Sequence, residues 1–204
     1  MTPRTKEQNE IIRIRRIAQI VKAAADVYLD KGMLMEIRDV AAAAGLGYGT
    51  VYHYYKNKGD LLHDVMWQAM DRAAVEIAGL VASDTSSISI SGSYAKWGSR
   101  LMKLWARDHG LYLLCQLGGE HFRSLPESIA ALLTTAYQEN VLRPIADIIK
   151  DRTADTGSGV SPPRQAELFL AALTGCALLP LRRGTLHTEA EQIAYFLFEA
   201  QGGS

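Results

Sequence analysis

Residues 37–58 read Ile-Arg-Asp-Val-Ala-Ala-Ala-Ala-Gly-Leu-Gly-Tyr-Gly-Thr-Val-Tyr-His-Tyr-Tyr-Lys-Asn-Lys, and they constrain the fold more than any other stretch. Val40, Ala41 and Ala44 fall at i, i+1 and i+4, which gives a short helix one small apolar face. Gly45 supplies the left-handed or close-contact position that a tight turn between helices requires. A second short helix over residues 48–54 turns Val51 and Tyr55 inward. Tyr48, Thr50, Tyr52, His53 and Tyr54 remain as candidates for its outer face. Such a face, rich in hydroxyls and without a carboxylate, suits a polyanion better than a core. This is the composition of a helix-turn-helix recognition element.

Ala24, Tyr28, Gly32, Val40-Ala41, Ala44-Gly45, Gly49-Thr50-Val51-Tyr52, Tyr55 and Lys58, followed by Leu61-Leu62, form a longer pattern. With these residues the segment Arg16–Met66, about a quarter of the chain, resembles the N-terminal domain of the TetR family of transcriptional regulators. Three features depart from the family pattern: two slots, and the loop from Gly32 to the second helix, which is about one residue short. Glu36 stands where the family favours a Thr that caps the second helix and touches phosphate, and a carboxylate there repels DNA. Tyr54 fills the slot before the last aromatic with His53 beside it, so either can be the one that reaches DNA.

The resemblance implies a DNA-binding head over residues 1–58, with the helix-turn-helix at 36–55. Its DNA contacts would come from Arg38, Gly47, Tyr48, Thr50, Tyr52, His53, Tyr54 and Lys58. Residues 59–204 would form a ligand-binding and dimerisation domain. The implied protein is a homodimer, more often a repressor than an activator, released from a near-palindromic operator by a small-molecule effector.

Net charge across the 204 residues is zero, which alone argues against a nucleic-acid binder. The distribution of charge along the chain argues the other way. Residues 1–58 hold ten Lys/Arg against six Asp/Glu, and residues 59–204 hold twelve against sixteen, so +4 faces −4. A hydrophobic content of 48% argues against disorder. Cys115 and Cys176 lie in separate apolar runs with no CxxC spacing, and are expected to be buried, reduced thiols. The N-terminus lacks the apolar stretch of a signal peptide, and no run approaches the ~18 apolar residues of a membrane span. A cytoplasmic location without membrane contact is expected.

Helical periodicity dominates the rest. Ile14, Ile17, Val21, Ala24 and Tyr28 predict one buried stripe on the first helix. Arg13, Arg15 and Arg16 near its start fit a solvated face or phosphate contact equally well. Asn57 is placed to cap a helix running from Lys58 to about Val81, and the Ser/Thr-rich gap Ser83–Ser93 reads as a linker. Further helices are expected over Tyr94–Asp108 and over Leu111–Leu117, the latter stopped by Gly118-Gly119. Pro126 would open a long helix to Asp151 that Pro144 kinks. A surface loop over Asp155–Pro163 precedes helices over Arg164–Leu181 and Thr188–Ala200. The expected fold is all-α, a three-helix head joined to a helical bundle, about nine helices in total.

No catalytic residue, metal site or cofactor is expected. Gly45-Leu-Gly47-Tyr-Gly49 is GxGxG after an Ala-rich helix, not GxGxxG after a strand, and the five histidines include no HExxH. Candidates for a mostly apolar pocket, suited to a hydrophobic or aromatic effector, are Trp97, Leu101, Trp105, Tyr112, Gln116, His121, Phe122, Tyr137, Phe169 and Cys176. Leu168, Ala171, Ala172, Gly175 and Leu179, with Ile193, Phe196 and Leu197, predict a dimer interface built from the last two helices. The alternative function is a small helical enzyme or ligand carrier that retains the head domain.

Overall fold

Apolar residues at helical spacing wind the start of the chain into α1 (Lys6–Lys31), the first element of a computed structural model that describes residues 6–82, 90–153 and 159–199. A 3-10 turn (Gly32–Leu34) leads to α2 (Ile37–Ala43), α3 (Tyr48–Tyr54) and α4 (Lys58–Ala82). Then come α5 (Ile90–Trp105), α6 (His109–Gly119), α7 (Glu127–Tyr137), a π-helical turn (Gln138–Leu142) and α8 (Arg143–Thr153). The last two helices are α9 (Pro162–Arg183) and α10 (Leu186–Phe198). No strand occurs among the described residues, and α7, the π turn and α8 make one interrupted rod, so the all-α expectation holds with nine rods.

The chain divides into two compact units, Met1–Met66 and Trp67–Ser204, with the division inside α4. In the first unit Val21, Ala24 and Tyr28 are buried as the stripe requires. Ile14 is not: it is 59% exposed. At 1.5 Å per residue α1 is about 39 Å long, whereas α2 and α3 are about 10 Å each, so these partners cover only its C-terminal half. Burial on α1 accordingly begins at Ile20.

In the second unit α5 packs along α10, while α9 touches α5, α6, α8 and α10. Here several sequence-based boundaries move. The linker read over Ser83–Ser93 is shorter, because α5 already begins at Ile90 and Ser93 is 1% exposed; residues 83–89 lie outside the described residues. Gly118 and Gly119 belong to α6 and do not stop it. The stop comes at His121 and Phe122, both with φ of +54°. Pro162 and Pro163 open α9 and so do not belong to the preceding loop, of which residues 154–158 lie outside the described residues. The long helix containing Pro144 is not simply kinked. Proline offers no N–H to the carbonyl four residues back, and the turn ahead of it widens to π geometry.

Asp108 holds the start of α6. Its Oδ1 accepts the N–H groups of Gly110 (3.0 Å) and Leu111 (3.3 Å), and its carboxylate takes the Arg72 guanidinium at 2.5 and 3.1 Å. Asp108→Ala removes a helix cap and a forked ion pair that is partly open to solvent. The variant is expected to lose about 2 kcal/mol of stability in a urea titration. A midpoint within error of wild type contradicts this role.

Candidate functional site

The helix-turn-helix is assembled from a few buried anchors. Val40 and Val51 are fully buried, and Ala41, Ala44 and Tyr55 nearly so, which fixes α2 against α3. Gly45 takes φ +63°, the left-handed conformation that glycine adopts without a Cβ penalty. Two contacts brace the pair from α1. Gln19 Nε2 donates to the Ala44 carbonyl at 2.6 Å, and Lys31 Nζ meets Asp39 Oδ1 at 2.7 Å. The Lys31 ammonium and the Glu36 N–H hold the Asp39 carboxyl below its usual range. Tyr55 donates its hydroxyl to Asp64 Oδ2 at 2.7 Å, and burial with that carboxylate pushes the phenol well above its usual value.

With Val51 and Tyr55 turned inward, α3 presents Tyr48, Gly49, Thr50, Tyr52 and His53 to solvent, and Tyr54 is half-buried. Tyr48 and Tyr52 stack at 5.7 Å between ring centroids, and Lys56 Nζ sits 4.7 Å over the Tyr52 ring. His53 meets Tyr54 edge-on at 5.4 Å. Gly47 is exposed at the cap of α3. Glu36, the departure from the family pattern, caps α2 in a reciprocal box with Asp39, whose Oδ2 accepts the Glu36 N–H at 3.0 Å. Its carboxylate also pairs with Arg38 Nε at 2.7 Å, which offsets its repulsion of a phosphate. Lys58 Nζ donates to the Met33 carbonyl at 2.6 Å. At the start of α4, Asn57 Oδ1 accepts the Asp60 N–H at 2.9 Å, the cap expected there.

A cavity of about 430 Å³ lies in the second unit among α6, α7 and α9. Of the ten pocket candidates, Tyr112, Gln116, His121 and Tyr137 line it. Trp105 and Phe122 are packed behind the wall, edge-on to Tyr112 and Tyr137 respectively. Leu101 is core, and Trp97 and Phe169 belong to an aromatic cluster with Tyr94 and Phe198. Cys176 is exposed and off the cavity, contrary to the expected buried thiol, because it lies on the outward face of α9. Cys115 is buried as expected and lines the cavity; burial pushes its thiol up to about 12. Burial likewise pushes the Tyr112 hydroxyl up to about 12, and that hydroxyl donates to the Thr174 carbonyl at 3.2 Å.

The lining is more polar than expected. Thr134, Gln138, Arg164, Glu167 and Thr174 all reach it, each a polar residue at helical spacing beside an apolar stripe. Leu168, Ala171 and Gly175 border the cavity and also belong to the outward stripe of α9. On that stripe Leu168 is 47% and Leu179 55% exposed, with Ala172 half-buried; on α10 Phe196 is 68% exposed, with Ile193 and Leu197 half-buried. Among the described residues no cluster of His, Cys, Asp and Glu is arranged to hold a metal ion, and no helix is long and apolar enough to cross a membrane.

Comparisons with known proteins bear on both units. The chain is similar in fold to the fatty acid degradation regulator FadR from Bacillus halodurans, at 20% identity, with 90% of this chain and 98% of that one covered and a TM-score of 0.62. It is similar to FadR from Bacillus subtilis, solved in complex with stearoyl-CoA, at 19% identity, 89% and 97% coverage and a TM-score of 0.58. It is also similar to AibR, solved with isovaleryl coenzyme A and operator DNA, at 18% identity, 90% and 98% coverage and a TM-score of 0.64. No curated protein matches the sequence. Residues 20–65, from the buried face of α1 to the first turns of α4, match the family described as bacterial regulatory proteins, tetR family. That segment matches the N-terminal domain of the tetR family, and the chain as a whole shares the fold of the regulators named above.

Proposed function

We propose that the protein is a ligand-responsive regulator that binds a near-palindromic operator as a homodimer, represses from it, and leaves it when a small effector fills the α6–α7–α9 cavity. The observation that carries this reading is the outward face of α3, where the stacked Tyr48 and Tyr52, Thr50 and His53 stand on a helix locked from beneath by Val51 and Tyr55. Two-fold symmetry would present two such helices to successive major grooves. The exposed stripe of α9 and α10 supports dimerisation, since apolar patches of that kind are seldom left in water. Leu168, Ala171 and Gly175 border both that stripe and the cavity, so effector occupancy and dimer geometry share residues. By linkage, operator and effector weaken each other's binding by the same factor.

The effector on this reading has an apolar part for Leu142, Leu168 and Leu170 and a polar part for Gln116, His121 and Thr134. The acyl-CoA thioesters found with two structural neighbours are the first to test. The protein is not an enzyme on this reading, and acts in the cytoplasm. Operator-sized DNA should shift in a gel, with the shift weakening steeply as salt rises. Failure to shift any genomic fragment at low salt favours the carrier or enzyme alternative.

Two variants test the head. Lys58→Ala is expected to weaken binding to all sequences alike and to lower the salt slope by about one unit, as for a single phosphate contact. An unchanged slope in a folded variant rejects the contact. Tyr48→Ala is expected to change sequence preference more than non-specific affinity, because base-edge contacts carry specificity. Selection from random DNA checks this; recovery of the wild-type site by the variant removes Tyr48 from the readers.

A further inference from the structure

Glu36 Oε2 and Arg38 Nε form an ion pair at 2.7 Å, on side chains 54% and 73% exposed. Residues two apart within one helix point to different sides and do not meet. These two meet because Glu36 is the N-cap of α2, outside the helix, with extended backbone at φ −122° and ψ 157°. Capping alone does not explain a glutamate at that position. Ser, Thr, Asp and Asn cap best, with short side chains that reach the N–H groups of the first turn. The longer Glu36 carboxylate takes the Asp39 N–H and the Arg38 guanidinium as well.

Other cations of the head are used differently. Lys56 sits over the Tyr52 ring and Lys58 donates to the Met33 carbonyl, so neither is matched to a carboxylate among the described residues. Lys31 does meet a carboxylate, that of Asp39, and the contact ties α1 to α2. Arg38 ties no two elements together. It reaches back two residues along the chain, and among the described residues it has no other ion-pair partner. Asp39 offers no substitute, because one of its oxygens takes Lys31 Nζ at 2.7 Å and the other accepts the Glu36 N–H at 3.0 Å.

We infer that Glu36 stands in for a DNA phosphate: its carboxylate keeps Arg38 occupied on DNA as in the free protein, and so removes one backbone contact from the head. The inference rests on the proposed binding of DNA through α3. A guanidinium offers the same forked donors to a carboxylate and to a phosphate, so the two compete for one group. The competition favours Glu36 for a geometric reason. Arg38 cannot turn to a phosphate without leaving the Glu36 carboxylate unpaired beside that phosphate, and like charges at such an interface are costly. The effect is blind to sequence, because phosphate contacts add affinity for any duplex. Glu36 thus lowers the background binding against which α3 reads bases.

Titration of random-sequence duplex DNA at several salt concentrations, followed by fluorescence anisotropy, tests this without an operator. Glu36→Gln, close to isosteric and uncharged, is expected to bind about tenfold tighter than wild type at low salt and to steepen the salt slope by about one unit. Glu36→Thr, which supplies a favoured cap without a charge, should do the same, and keeps the test valid if the first variant folds poorly. The Glu36→Gln/Arg38→Gln double variant identifies the group that is released, and should return to wild-type affinity and slope. A double variant that stays as tight as Glu36→Gln shows that Arg38 is not that group. One that binds more weakly than wild type, with a shallower slope, shows that Arg38 already contacts DNA in the presence of Glu36. Either result overturns the inference, as do wild-type affinity and slope in both Glu36 variants. In those cases DNA binding itself stands, whereas failure of wild type and variants alike to bind DNA at low salt rejects the regulatory reading together with the inference.

Discussion

Gly175→Glu is expected to sediment as a monomer at micromolar concentration, where the proposed wild-type dimer should persist, and to raise the operator Kd about a thousandfold. Gly175 lies on the outward face of α9 with nothing within 4 Å of the position a Cβ would take. The isolated chain thus accepts the new side chain without strain. The proposed dimer does not, because Leu168 and Leu179 flank the position and Phe196 extends the face on α10. Burying an unpaired carboxylate there costs on the order of 4 kcal/mol, and each 1.4 kcal/mol is a factor of ten. Circular dichroism should report an intact fold. A wild-type protein that is itself monomeric at that concentration rejects both the interface and the two-headed mode of DNA binding.

Gly118→Val should act on the fold itself. A Cβ at Gly118 would lie 2.6, 2.7 and 2.8 Å from three atoms of the Tyr137 ring, closer than any real contact. The ring cannot easily yield. Tyr137 is 2% exposed and meets Phe122 edge-on at 5.9 Å, and both Tyr137 and Gly118 line the α6–α7–α9 cavity. Valine has the better helix propensity by less than 1 kcal/mol, but overpacking of this severity costs about 3 kcal/mol, so the clash decides the sign. The melting temperature should fall by about 6–12 °C for a chain of this size. Combining the change with Tyr137→Leu, which removes the obstructing ring, should recover part of the loss. Equal melting of the single variant and wild type contradicts the close approach.

The head is legible in the sequence because its constraints are local. Gly45, Val51 and Tyr55 fix one turn and one helix face within eleven residues, and the matched segment, 20–65, contains all of them. The cavity is less legible, because its walls come from helices distant in sequence. Tyr112 and Trp105 look alike as large residues on apolar stripes, and only packing puts one on the cavity wall and the other behind it. The glycines of α6 mislead for a related reason. Gly118 resembles a helix stop, yet its role is to admit the Tyr137 ring, a contact across nineteen residues that no local rule contains. Cys176 differs from the expectation because an apolar run reads as interior, whereas this run also supplies the outward face of α9.

The π-helical turn between α7 and α8 has a consequence for winding. Leu133, Tyr137, Val141, Ile145 and Ile149 are all buried and recur at intervals of four. An α-helix advances 400° over four residues, so each step would rotate the buried face by about 40° and the last residue would lie about 160° from the first. The wider turn at Gln138–Leu142 holds more residues per revolution and takes back much of that rotation. Residue number in this segment therefore sets angle as well as length. A chain one residue shorter here could still wind into a helix, but it would present Ile145 and Ile149 about 100° away from the core that now receives them.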